Sequence, residues 1–225
     1  KSLANGEGLQ RTIAILKKKV EDQEKIAVVV SARGNATDDL EEILTKASHR
    51  QAYQDDFEAF KTYQSEPLKS IDLTADFSAL ENIFQGVTLL GDYSDKIKAE
   101  VLAFGEIISV KMVTALLKAE NINANATNAA TLIKTEGDYL NSQPSEKLSR
   151  ENVLAHFKNF NGTIVNVITG FIGSNSKNET TLLGRNGSNY SASLVANYLD
   201  AEELQNYTHV NGIYTANPDL VADAQ

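Results

Sequence analysis

Apolar residues recur along this chain at two spacings, and the alternation between them predicts the architecture. "EGLQRTIAILKKKV" (7–20) sets Leu9, Ile13, Ile15, Leu16 and Val20 on one broad helical face. "KIAVVVS" (25–31) is instead a continuous, largely β-branched run, the pattern of a strand buried on both sides. "ARGNATDDLEEILTKA" (32–47) reads as a loop and then a helix. Thr37 is its expected N-cap, and Asp38, Asp39, Glu41 and Glu42 crowd the first turn, where the helix dipole favours acids. Residues 50–94 read as polar helical segments with Phe57, Phe60, Phe77, Leu80 and Phe84 as their buried side, punctuated by Pro67 and Gly86.

"EIISVKMVTALLKAE" (106–120) predicts an amphipathic helix, followed by short strands at "INANAT" (122–127) and "ATLIKT" (130–135). "EGDYLNSQPSEKLSR" (136–150) is the best candidate for a surface excursion. Then come a helix at 149–160, a buried strand at 163–173 ending in a glycine-flanked turn, a helix at 188–199, and a last strand at 203–210 before a turn at Gly212. Strands of this kind alternating with helices place the chain in the α/β class, as a three-layer αβα sandwich with a mainly parallel central sheet.

Composition narrows the functions this fold can carry. The 225 residues are ample for a buried core, and the net charge of −9 argues against a nucleic-acid partner, which needs clustered Lys and Arg. The basic run Lys17–Lys19 is answered at once by Glu21, Asp22 and Glu24, as on a solvated helix end. Without cysteine there is no disulfide, thiolate metal site or cysteine nucleophile, and the three histidines are scattered with no metal-ligand spacing. No apolar run approaches the ~20 residues of a membrane span, so the expectation is a soluble, cytoplasmic protein with no membrane partner. The chain starts at Lys1 without a methionine and stops in "VADAQ", which predicts a single domain over 1–225 truncated at both ends.

In a parallel α/β sheet, ligands gather at the carboxyl ends of the strands. Four loops qualify: "SARGNATD", "AFGE", "GFIGSNSKNETTLLGRNGSN" and "THVNGIYTANPD". Their Gly, Ser, Thr and Asn can aim amides and hydroxyls at anionic oxygens, and Arg33 and Arg185 add positive charge. Glu106, expected where a helix starts, is either an acid complementing the helix dipole or a carboxylate for a substrate ammonium. Arg185 is either a solvated loop residue or one jaw of an anion clamp just before a helix. No GxxxxGK[ST] motif is present, so a Walker-type site is not supported.

These stretches together resemble the amino acid kinase family, and within it the aspartokinases. "SLANGEGLQRTI" is similar to the segment after the family's N-terminal Lys-Phe-Gly-Gly. "VVVSARGNATDDL" resembles its second phosphate and substrate loop, and "AFGEIIS" its Ser-x-Gly-Glu motif. "VITGFIGSNSKNETTLLGRNGSNYSASLVA" resembles the long signature, and "NYTHVNGIYTANPDLVADA" the nucleotide loop. The order is the family's own, and the likeness is strongest to the aspartokinase half of bifunctional aspartokinase/homoserine dehydrogenases.

The resemblance implies a carbamate kinase-like fold and ATP-dependent phosphorylation of the β-carboxylate of L-aspartate to 4-phospho-L-aspartate, the first step toward lysine, threonine and methionine. It implies ATP and Mg2+ as cofactors, a homodimer or larger assembly, and a fused homoserine dehydrogenase. Carried across, Ser31 and Thr37 line the aspartate site and Glu106 holds the α-ammonium. Arg185 clamps the α-carboxylate beside Phe171, Ser188 and Asn189, while Thr208, His209, Tyr214 and Asp219 belong to the nucleotide site.

Several positions depart from the family pattern. The Lys-Phe-Gly-Gly lysine, which neutralises the transferring phosphoryl group, falls upstream of Lys1. Asn189 and His209 stand where the family has Asp, and Asn217-Pro218-Asp219 replaces Asp-Pro-Arg. Two alternatives follow: another amino acid kinase, acting on glutamate, N-acetylglutamate or a nucleoside monophosphate, or a degenerate nucleotide- or amino-acid-binding domain.

Overall fold

The β-branched run after Ile26 does become a central strand. The computed structural model describes residues 3–160 and 162–207. Helix α1 (Gly6–Glu21) leads into β1 (Ala27–Val30), followed by α2 (Ala36–Ser48), α3 (Gln54–Ser65), α4 (Thr74–Leu90) and α5 (Asp95–Ala119). Strand β2 (Ala124–Thr127) and a 3-10 turn (Ala129–Thr131) precede the two-residue strands β3 (Thr135–Glu136) and β4 (Gln143–Pro144). Helix α6 (Glu146–His156), β5 (Val165–Thr169), β6 (Ile172–Ser174), β7 (Thr180–Leu182) and α7 (Gly187–Tyr198) complete the order.

The main sheet is β1-β5-β2, parallel throughout, with Val29 opposite Ile168 and Ala126 opposite Val167. Alternation along its strands divides two cores. Val30, Val165 and Val167 pack with Leu9, Ile13 and Leu16 of α1 and Val113 and Leu117 of α5. Ile168 packs the other way, with Val153 of α6, Phe157 just beyond it, and Val195 and Tyr198 of α7. This is the expected αβα sandwich.

A third core lies beyond the sheet, where α2, α3 and α4 gather on the first half of α5. The expected aromatic residues build it. Phe57 meets Phe84 edge-on with centroids 5.3 Å apart, and Tyr53 meets Phe84 at 5.6 Å. Such pairs add about 0.5–1.5 kcal/mol beyond their buried area. Lys111 Nζ on α5 reaches both Asp76 oxygens on α4, at 2.7 and 2.6 Å. Among the described residues no helix is long and apolar enough to cross a membrane.

Several expectations require correction. The helix expected at 106–120 begins eleven residues earlier, at Asp95, with Ser94 Oγ accepting the Ile97 amide. Gly105, which reads as loop punctuation, is therefore inside a helix. A Cβ there would come within 3.0 Å of the Ala32 Cβ, so the glycine lets α5 lie close against the end of β1. Thr37 is not an N-cap: Asn35 caps α2, and Thr37 is the helix's second residue. Of the four acids expected in the first turn, Asp38 and Asp39 are there.

Residues 130–135 do not form a strand. The Asn128 side chain accepts the Ala130 amide and winds the chain into a 3-10 turn, after which Lys134 makes a single bridge to Ser174 and Thr135 enters a short ladder. The run 163–173 breaks at Gly170–Phe171, and its end folds back as β6 against β7. Helix α6 starts at Glu146, so the excursion at 136–150 ends in a helical turn. Residues 203–207 lie in no strand, and the rest of the expected last strand is outside the described residues.

Candidate active site

Strands β1 and β5 end side by side, and a cleft of about 660 Å3 opens at their carboxyl ends. Its lining includes Ser31 after β1, Thr37, Asp38 and Glu41 on α2, and Lys98, Leu102 and Glu106 on α5. Across from them stand Phe171, Leu182 and the stretch 184–189. The structure thus gathers Ser31, Thr37, Glu106, Phe171, Arg185, Ser188 and Asn189 into one cavity, although they are spread over 159 positions of sequence, from 31 to 189.

Glu106 forms the negative pole. It sits mid-helix on α5, only 3% exposed, so the expectation of a helix-start acid is overturned. Its Oε1 accepts the Ala32 amide at 3.2 Å, while its buried Oε2 has no hydrogen-bond partner among the described residues. Burial pushes the carboxyl up to about 8, against the smaller downward pull of the Ala32 amide. An orphaned buried polar atom costs about 1–3 kcal/mol, which a ligand ammonium would offset while restoring the ionised form.

The opposite pole is built from the turn before α7. Gly184 and Asn186 both take left-handed conformations, φ 75° and 59°, the second at the N-cap position with no side-chain cap bond. The Gly187 amide turns back to the Gly184 carbonyl at 3.1 Å, and the next amides of α7, on Ser188 and Asn189, have no intrahelical acceptors. No acid lies in that first turn, in contrast to α2, whose own Asp38 and Asp39 answer its dipole. Arg185 is exposed and makes no hydrogen bond or ion pair among the described residues. A Cβ on Gly187 would stand 2.6 Å from Phe171 Cδ2, so the glycine is what seats the helix start on that ring.

Arg33 is not part of the cleft. Its guanidinium is buried over the Tyr63 ring, 3.8 Å from the centroid, donating to the Tyr63 carbonyl and pairing with Glu66 at 3.3 Å. Of the two loop arginines, only Arg185 is available to a ligand. Lys98 was not foreseen. It lies eight residues before Glu106 on α5 and is tied to Glu41 across the cleft floor. The spacing Lys98–Leu102–Glu106 marks a helical face, visible only if the helix is begun before Gly105. Thr208, His209, Tyr214 and Asp219 lie outside the described residues.

A doubly covered parallel sheet with a bipolar, Gly-rich cleft at its strand ends is the class of α/β fold that binds small molecules at that edge. The chain belongs to the amino acid kinase family, which it matches over residues 1–225. It is 31% identical over 239 aligned positions to a bifunctional aspartokinase/homoserine dehydrogenase of Buchnera aphidicola, covering 100% of this chain and 29% of that protein. An aspartokinase of Chlamydia muridarum is 30% identical, with coverage of 100% and 49%. Among solved structures, Escherichia coli aspartokinase III in complex with aspartate and ADP superposes with a TM-score of 0.83 at 23% identity, over 100% of this chain and 51% of that one. That likeness concerns the fold. The chain spans about half or less of the length of these relatives.

Proposed function

We propose that this chain is the catalytic domain of an aspartate kinase, transferring the γ-phosphoryl group of ATP to the β-carboxylate of L-aspartate. The observation that carries this reading is the buried Glu106 Oε2 sharing a cleft with the guanidinium of Arg185, both without a partner among the described residues. A free α-amino acid presents one ammonium and one carboxylate on the same carbon, and such a site holds both. The Arg185 fork pairs with the α-carboxylate, assisted by the α7 amides, and Glu106 takes the ammonium. Ser31 and Thr37, both half-buried beside Glu106, orient what remains of the substrate.

ATP supplies the transferable phosphoryl group. One β-carboxylate oxygen attacks the γ-phosphorus, the bond to the β-phosphate oxygen breaks, and 4-phospho-L-aspartate and ADP leave. No proton need move, so the domain's work is alignment and charge stabilisation. The aspartokinase III neighbour is described with aspartate and ADP, which supports both ligands here. Thr208, His209, Tyr214 and Asp219 are assigned to the nucleotide by sequence resemblance alone. Among the described residues no group of three acidic or histidine side chains could hold a metal, so Mg2+ is proposed to enter with the nucleotide phosphates. The product would lead toward lysine, threonine and methionine, and a fused homoserine dehydrogenase module is part of the same proposal, by analogy with the Buchnera relative.

The test is the amino-acid dependence of ADP release by the full-length protein. L-Aspartate should be required. Faster turnover with L-glutamate or N-acetylglutamate would assign the reaction to another amino acid kinase, and nucleotide binding without phosphorylation would make the domain a binding module.

A further inference from the structure

Phe171 lines the cleft with φ 65°, a left-handed conformation rarely taken by a bulky aromatic residue. Such a residue stays there only when its surroundings hold it. The side chain that holds it is Ser191 on α7, 1% exposed and away from the cleft lining, alongside a backbone bond from the Ile172 amide to the Gly170 carbonyl at 2.7 Å. Its Oγ accepts the Phe171 amide at 3.0 Å and donates to the Gly187 carbonyl at 2.9 Å. The chain of bonds therefore runs from Phe171 N–H through the Ser191 hydroxyl to Gly187 C=O, each bond polarising the next. Both of its ends line the cleft. The Phe171 carbonyl in turn accepts the Leu183 amide at 2.9 Å, which fixes the strand end just before the Arg185 turn.

We propose that Ser191 is a positioning residue of the amino-acid cleft: its hydroxyl holds Phe171 left-handed and thereby sets the wall on which the Arg185 turn and the first turn of α7 are seated. Without the hydroxyl, the Phe171 amide loses its acceptor, and the unfavourable φ is left to the Ile172–Gly170 and Leu183–Phe171 backbone bonds, at 2.7 and 2.9 Å. The backbone then relaxes, and the ring shifts against Gly187, which has no Cβ to buffer the movement. The loss falls on substrate alignment next to Arg185, not on the nucleotide. The substrate named in the test rests on the aspartate kinase reading, whereas the backbone coupling does not.

The experiment compares Ser191→Ala, Ser191→Thr, Phe171→Gly and the Ser191→Ala/Phe171→Gly pair in the full-length protein, with kinetics and urea midpoints measured together. Ser191→Ala should raise the aspartate KM roughly tenfold, with kcat and the ATP KM within about twofold, and Ser191→Thr should recover most of the loss. In the Phe171→Gly background, Ser191→Ala should add less than about twofold, because glycine adopts the left-handed region unaided. An equal rise in KM in both backgrounds overturns the proposal, as does a fall in kcat that tracks lost stability while KM stays constant. If the parent protein does not phosphorylate aspartate, the substrate reading fails and the urea cycle decides the coupling: Ser191→Ala must lower the midpoint more in the parent than in Phe171→Gly.

Discussion

The amide of Ala32, two residues past the end of β1, donates to Glu106 Oε1 at 3.2 Å, so the strand-end loop and the middle of α5 meet at one buried carboxyl. The other oxygen of that carboxyl has no partner among the described residues, and burial holds the group at about 8 against an ordinary 4.5. The unliganded folded state thus retains a proton that the unfolded chain releases. The stability this contributes is complete below about pH 4.5 and is lost as pH rises through about 8.

Glu106→Gln keeps the shape and removes the titration. Relative to the parent, the variant should gain stability progressively from about pH 5 to about pH 8, by up to about 4 kcal/mol at the top of that range. Urea denaturation across the window measures it. A constant difference between the two proteins would mean that Glu106 is ionised in the folded state at neutral pH.

Aspartate binding should release a proton at neutral pH, because the incoming ammonium pulls Glu106 back toward its ionised form. Titration calorimetry in buffers of different ionisation enthalpy reads this directly: the apparent heat should vary with the buffer, with a slope near one proton in the parent and near zero in Glu106→Gln. A parent slope of zero would separate Glu106 from the ammonium.

Arg185 should behave as a clamp. Arg185→Ala is expected to lower kcat/KM for aspartate roughly 30- to 1,000-fold, and Arg185→Lys to recover only part, since lysine lacks the planar fork. Because the side chain is exposed and has no partner among the described residues, melting temperature should hardly move. Near-parent activity in a folded Arg185→Ala protein would return this residue to the ordinary surface.

Gly105→Ala sets two effects against each other. Alanine gains about 1 kcal/mol of helix propensity, while its Cβ meets that of Ala32 at 3.0 Å and presses the loop away from α5. Stability should therefore change little, yet the aspartate KM should rise several-fold as Ala32 and Glu106 separate. An unchanged KM would show that the loop yields without disturbing the carboxyl.

The sandwich was legible because β1 is an unbroken apolar run, β5 is interrupted only by Asn166 before its terminal Thr169, and the outer helices keep a clear 3.6-residue period. Where glycine carried two meanings, reading failed. Gly105 looks like a loop in sequence and is a close approach in space, so the front eleven residues of α5 went unrecognised, and with them the face that carries Lys98. Arg33 and Arg185 sit in loops of similar composition. Only three-dimensional packing against Tyr63 and Glu66 removes the first from the cleft. The cleft residues themselves were found through long motifs, since nothing in local periodicity joins Ser31 to Arg185.

Helix α5 is one uninterrupted rod of 25 residues, about 37 Å long at 1.5 Å per residue, and it belongs to two cores at once. Its rear half is embedded against the sheet, and its front half carries the α2–α4 bundle. The carboxyl of Glu106, proposed to take the ammonium, lies where the two halves join, buried in the middle of that rod. Arg185 and Asn186, in the turn proposed to hold the carboxylate, are by contrast exposed. Over evolutionary time the two poles are therefore unequally free to change: on the proposed reading, selectivity among amino acids of different length would be adjusted by redrawing the loop, while the preference for a primary amine would stay with the frame.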